Sequence, residues 1–117
     1  MLKALGRLAM AGIFVSGGWN QMNHADRYSE TAKKVGFSAP PELVKAEAWL
    51  MILSGIGLQI PLVRKLAAAW LVFDLAVITW IGHRWWEHEG QSRDQQITQF
   101  LKNAAMAGGA LYVLGDK

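Results

Sequence analysis

Between Leu66 and Gly82 the sequence carries one charged residue, Asp74, in an otherwise apolar run. A helix in a soluble bundle turns a polar face to water every three to four residues, and this run has no such face to turn. Ala104 to Leu114 has no charge at all. Composition agrees: of 117 residues, 52% are hydrophobic and 18% charged, too apolar for an ordinary soluble domain of this length. The chain therefore reads as an all-α, integral membrane four-helix bundle, with residues 1–117 forming a single transmembrane domain.

Four apolar runs divide the chain: about Leu5 to Met22, Leu43 to Ile60, Leu66 to about His83, and Ile97 to Leu114. At a helical rise of ~1.5 Å per residue each comes close to the ~30 Å of a bilayer core. Lys3 and Arg7 ahead of the first run have the layout of a signal peptide, but no A-x-A-like site follows, so the run is read as a retained first helix. The longest connection, His24 to Glu42, is expected at the interface, with a short helix around Ser29 to Val35 stopped by Gly36. The basic linker Pro61 to Lys65 is short enough to make the second and third runs an antiparallel hairpin. Gly12/Ser16, Ala104/Gly108 and Ala105/Gly109 have the small-xxx-small spacing that lets helices approach closely in lipid.

Several classes of function are excluded. The chain has no cysteine, which removes thiol catalysis, disulfide relays and cysteine-ligated metal centres. The net charge of +3 is scattered between apolar runs and forms no basic stripe, so no nucleic-acid partner is expected. The spacing of His24, His83 and His88 fits no metal motif, and no cofactor signature is present. The expected partners are the lipid bilayer and other membrane subunits, and the chain is not expected to be an enzyme on its own.

Polar residues are unevenly placed in depth. With four spans, the two longer loops share one side and the termini share the other with the short linker. Asn20, Gln21, Glu47, His83, Lys102 and Asn103 all fall toward the long-loop end, with Trp19, Trp49, Trp80, Trp85 and Trp86. Tryptophans ordinarily mark both interfaces, so this bias points to a polar and aromatic pocket, a partner surface, or an interfacial belt. Glu47 and Lys102 are expected to pair, since an isolated charge below the surface is costly. Asp74, near mid-span, has to be protonated, paired or facing a polar cavity. A ligand at that end would have Asn20, Glu47, His83 and Asn103 converging beneath Trp49 and Trp80, with Asp74 closing the floor, a setting that suits a flat ring or isoprenoid head group. Lys3, Arg7, Arg64 and Lys65 cluster in short segments on the termini side, which places the termini in the cytoplasm.

These residues resemble the DoxX family of small four-helix bacterial membrane proteins. Gly6-Arg7, Gly12-Ile13-Phe14 and Ser16-Gly17-Gly18 resemble its first helix. Glu47, Leu53, Gly57, Arg64 and Leu66-Ala67-Ala68 resemble its second helix and basic turn. His83 and Trp86, then Phe100-Leu101-Lys102-Asn103 with Gly108-Gly109, resemble the end of its third helix and its fourth, the last stretch being the most specific. The resemblance implies a bacterial inner-membrane protein associated with redox or envelope complexes, as a non-catalytic or accessory subunit. The alternative it implies is a quinone- or lipid-binding redox subunit, similar to those of quinone-linked thiosulfate oxidation, with a quinone as the one cofactor the polar end would take. A transporter would need a polar path right across, and the termini half is dry apart from Arg7, Gln59 and Tyr112.

Overall fold

The computed structural model describes residues 1–116. Its helices, in chain order, are α1 (Leu2–Asn23), α2 (Ala25–Lys34), α3 (Pro41–Gly57), α4 (Arg64–Gly82) and α5 (Gly90–Gly115), with a 3-10 turn at Trp85–Glu87. The short helix of the first loop is longer than the sequence suggested and begins four residues earlier. α5 likewise starts at Gly90, because the polar stretch Gln91 to Gln96 continues the helix beyond its apolar part.

Local chemistry sets these boundaries. Proline at the first position of α3 presents no orphaned N–H and has its backbone angle preset. α2 ends at Gly36, whose φ of 86° is the left-handed conformation that glycine adopts freely. There the Gly36 N–H donates to Lys33 O and the Phe37 N–H to Ala32 O, the paired bonds of a Schellman turn. At the opposite end of the bundle Arg64 Nε donates to Leu58 O at 2.7 Å, satisfying a carbonyl at the close of α3 and tightening the turn into α4.

The four long helices form two closely packed pairs, α1 with α3 and α4 with α5, which α3 and α4 join more sparingly. Glycine permits the first pairing. A Cβ on Gly18 would lie 2.7 Å from Ile52 Cγ1 and 2.9 Å from Ala48 O, and one on Gly55 would lie 3.1 Å from Phe14 Cβ. The spacing rule had pointed to Gly12 and Ser16 instead. Gly12 has nothing within 4 Å of where its Cβ would be, so that pair faces outward. In α5, Gly109 meets the Met10 side chain while Gly108 is open. Phe14, Met51, Leu58, Ala68, Leu71 and Ala110 make a continuous core in the half of the bundle nearer the termini.

Much apolar surface is left outside this core: Leu62 is 93% exposed, Leu66 75% and Phe73 59%. Monomeric soluble proteins rarely expose contiguous apolar surface on this scale. The sequence suggested four spans. Among the described residues one segment, Arg64–Glu87, is long and apolar enough to cross a membrane by length and composition. α3 has only 17 residues, α1 carries Lys3 and Arg7, and α5 carries Lys102 and Asn103 within its apolar part, so all three are shorter or more polar than that segment. Of the most apolar 18 residues of this segment only 28% are buried within the fold, so it is not an enclosed core helix.

Candidate ligand pocket

Toward the long-loop end the two helix pairs separate, and a cavity of about 440 Å³ lies between them. Its floor is where the core begins, at Met51 and Leu75, which belong to both. α2 and the Schellman turn roof it, contributing Tyr28, Thr31 and Phe37. Ser29 Oγ–H donates to Ala39 O at 2.6 Å and holds the loop folded back over the helix ends.

The polar part of the lining centres on two carboxyl groups. Asp74, on α4, is 3% exposed, and its carboxyl meets that of Glu47 from α3. Gln21 Nε2 donates both to Val44 O, at 3.0 Å, and to Glu47 Oε2. Glu47 Oε1 and Asp74 Oδ2 are buried where the two carboxyl groups meet, and no other side chain donates to them. Above them Asn103 Nδ2 donates to Thr79 Oγ1 at 3.0 Å, tying α5 to α4, and His83 Nδ1 pairs with Gln96 Oε1 at 2.9 Å. Arg27 and Lys102 also line the cavity.

The structure therefore brings Glu47, Asp74, His83, Lys102 and Asn103 to one cavity. Three other candidates lie elsewhere. Trp49 and Trp80 are 50% and 53% exposed and face away from the cavity, because depth along a helix does not fix rotation about it. Asn20 is exposed too, and reaches the site only through its hydrogen bond to Tyr28 OH at 3.1 Å. The expected Glu47–Lys102 ion pair does not form: Glu47 is held by Gln21, and the exposed Lys102 makes no ion pair among the described residues.

Sequence reasoning left Gln21, Tyr28, Phe37 and Thr79 out of the candidate set. For Gln21 a signal existed. Ala11, Phe14, Gly18 and Gln21 recur at intervals of three and four, and all four are buried, so the amide lies on the inward face and not at the interface.

Beside the cavity, the tryptophan-rich segment after α4 forms a separate exposed cluster. The Arg84 guanidinium lies 4.6 Å from the Trp80 ring and 5.5 Å from that of Trp86, while Arg93 covers Trp85. His24 and His88 are tied locally, to Asn20 O and Ser92 Oγ, and no metal-holding group of side chains occurs among the described residues.

A family model, DoxX, matches residues 2–84, which take in α1 to α4 and the glutamate and aspartate of the floor. The chain belongs to the DoxX family. No curated protein and no solved structure matches it. As a DoxX protein it is a membrane protein, in keeping with the apolar, largely uncovered Arg64–Glu87 segment. The DoxX match stops before α5, so Phe100–Asn103 and Gly108–Gly109, the stretch whose resemblance looked most specific, lie outside it.

Proposed function

We propose that this DoxX protein is a small multi-pass subunit of a membrane redox complex, and that it holds a quinone- or isoprenoid-type ring ligand between its two helix pairs. The observation that carries this reading is the cavity, apolar over most of its wall, with two buried carboxyl groups at its floor and an amide and an imidazole above them. A pocket that is largely apolar with a few convergent polar groups is the usual form of a small-molecule site. In this reading residues 1–117 form one domain, and α1, α3, α4 and α5 each cross the inner membrane. The shorter helices cross by means of the flanking polar and aromatic residues that anchor them at the interface. Lys3, Arg7, Arg64 and Lys65 then lie on the cytoplasmic side with the termini. The subunit positions its ligand for a partner and is not an enzyme alone.

Purification from native membranes in mild detergent, followed by solvent extraction and mass spectrometry, tests the proposal. A lipid-soluble ring compound should co-purify with the natural chain and be depleted from a folded Asp74→Asn variant. Recovery of partner subunits with no such compound would end the ligand reading. A second reading would then stand, that of a scaffold without a ligand, which the outward groove on α1 favours. Its lining of Leu8, Gly12, Ser16 and Trp19 suits a helix of another subunit.

A further inference from the structure

We infer that the proton shared by Glu47 and Asp74 is a latch between the two helix pairs, and that the cavity opens at its floor when that proton leaves. The latch does not depend on what the cavity holds. Two carboxyl groups hydrogen-bond to each other only while one of them keeps its proton; without it, two like charges are in contact. Glu47 and Asp74 meet in this way, with Asp74 only 3% exposed. The surrounding helices offer little to offset a second negative charge. From α1, Gln21 has both its N–H groups committed, to Val44 O and to Glu47 Oε2. From α5, the Asn103 amide donates to Thr79, and Lys102 is exposed. α2 presents Arg27, also exposed, and Tyr28, whose hydroxyl accepts from Asn20. His83, at the end of α4, is paired with Gln96. Neither Arg27 nor Lys102 forms an ion pair with either carboxyl among the described residues.

Position in the fold turns this proton into a mechanical part. Glu47 belongs to the α1–α3 pair, where Gln21 anchors it, and Asp74 belongs to the α4–α5 pair. The other side-chain hydrogen bonds around the cavity stay on one side of it, as Asn103 to Thr79 and His83 to Gln96 do. The carboxyl pair is therefore the polar link across the floor among the described residues. α3 and α4 pack together more sparingly than the helices within either pair. At the opposite end Phe14, Leu71 and Ala110 are wholly enclosed, and Arg64 fastens the turn from α3 to α4 through Leu58 O. Two helix pairs fastened at one end and bridged by a proton toward the other form a hinge. While protonated, the bridge sets the width of the gap; once it is deprotonated, like-charge repulsion widens it.

The chain has no cysteine, so Lys45→Cys on α3 and Gln95→Cys on α5, both exposed, place one spin label on each helix pair. Distances between the labels, measured by pulsed electron paramagnetic resonance in mild detergent as the pH is raised from about 5 to about 10, test the latch. The distribution should shift to longer distances at alkaline pH, in step with loss of the infrared carbonyl band of a protonated carboxylic acid. Asp74→Asn keeps an N–H donor toward Glu47 and has no proton to lose, so its distances should stay short throughout. A distribution that does not move in the otherwise natural chain overturns the inference. So does a shift that persists in Asp74→Asn, which would assign the motion to His83, Lys102 or Tyr28. If circular dichroism shows that Asp74→Asn does not fold, Glu47→Gln takes its place under the same criteria. If neither folds, the infrared band decides: a shift without loss of the band overturns the inference, and a shift coincident with its loss upholds it.

Discussion

The two halves of the bundle are built from the same helices on opposite principles. Toward the termini, Leu58, Ala68, Leu71 and Ala110 are wholly enclosed, Gly57 sits close enough to Ala67 that a Cβ would approach its side chain at 3.2 Å, and Lys3 pairs with Asp116 at 3.1 Å. Toward the long loops the same four helices diverge around a cavity whose polar groups are only partly satisfied. Small residues close one half; carboxyl and amide groups hold the other apart. A protein that needed only to be stable would have packed both ends alike.

The closed half should therefore respond most to lost volume. Leu71→Ala removes a fully enclosed side chain and is expected to cost ~2–5 kcal/mol, measured by unfolding in mixed detergent. A loss no larger than that from truncating a cavity-lining residue such as Val77 would show that the two halves are not packed differently. The converse change acts on the open half. Replacing Glu47 by Met and Asp74 by Leu together should be neutral, or stabilise by up to ~1–4 kcal/mol, because well-packed apolar groups avoid the cost of burying a polar pair. The same double variant should lose ligand binding. Clear destabilisation would mean the carboxyl groups support the fold and are not simply held in it.

Glycine sharpens the comparison further. Gly18→Ala drives a methyl group toward Ala48 O, a backbone atom that cannot turn aside, and should cost ~1–3 kcal/mol through the α1–α3 pairing. Gly12→Ala, on the same helix but facing open space, should stay within ~0.5 kcal/mol. Matching melting temperatures for these two variants would contradict the packing of α1 described above.

These paired glycines also mark how far sequence alone could reach. Gly12/Ser16 satisfies the small-residue spacing as well as any other pair, yet the face that packs is the one carrying Phe14, Gly18 and Gln21. Spacing identifies a face without saying which neighbour takes it. Glu47 and Asp74 were legible because a charge in an apolar run needs an explanation wherever it points, and both lie at the cavity. Trp49 and Trp80 were expected over the cavity and instead face outward, since an amphipathic aromatic ring suits an outward face at an interface as well as a pocket wall. Helix order was readable from the apolar runs and their punctuation at Gly36, Pro41 and Pro61. The Glu47–Lys102 pairing was not, because Gln21, a neutral residue on a third helix, takes the glutamate first.

The family pattern ends at Arg84, whereas the cavity does not: α5 contributes Lys102, Asn103 and Met106 to its wall and Ala110 to the core beneath. Three sides of the chamber thus lie within the matched stretch and the fourth lies beyond it. A change at Lys102, Asn103 or Met106 therefore alters the wall of the chamber from one helix alone, while the carboxyl floor stays as it is.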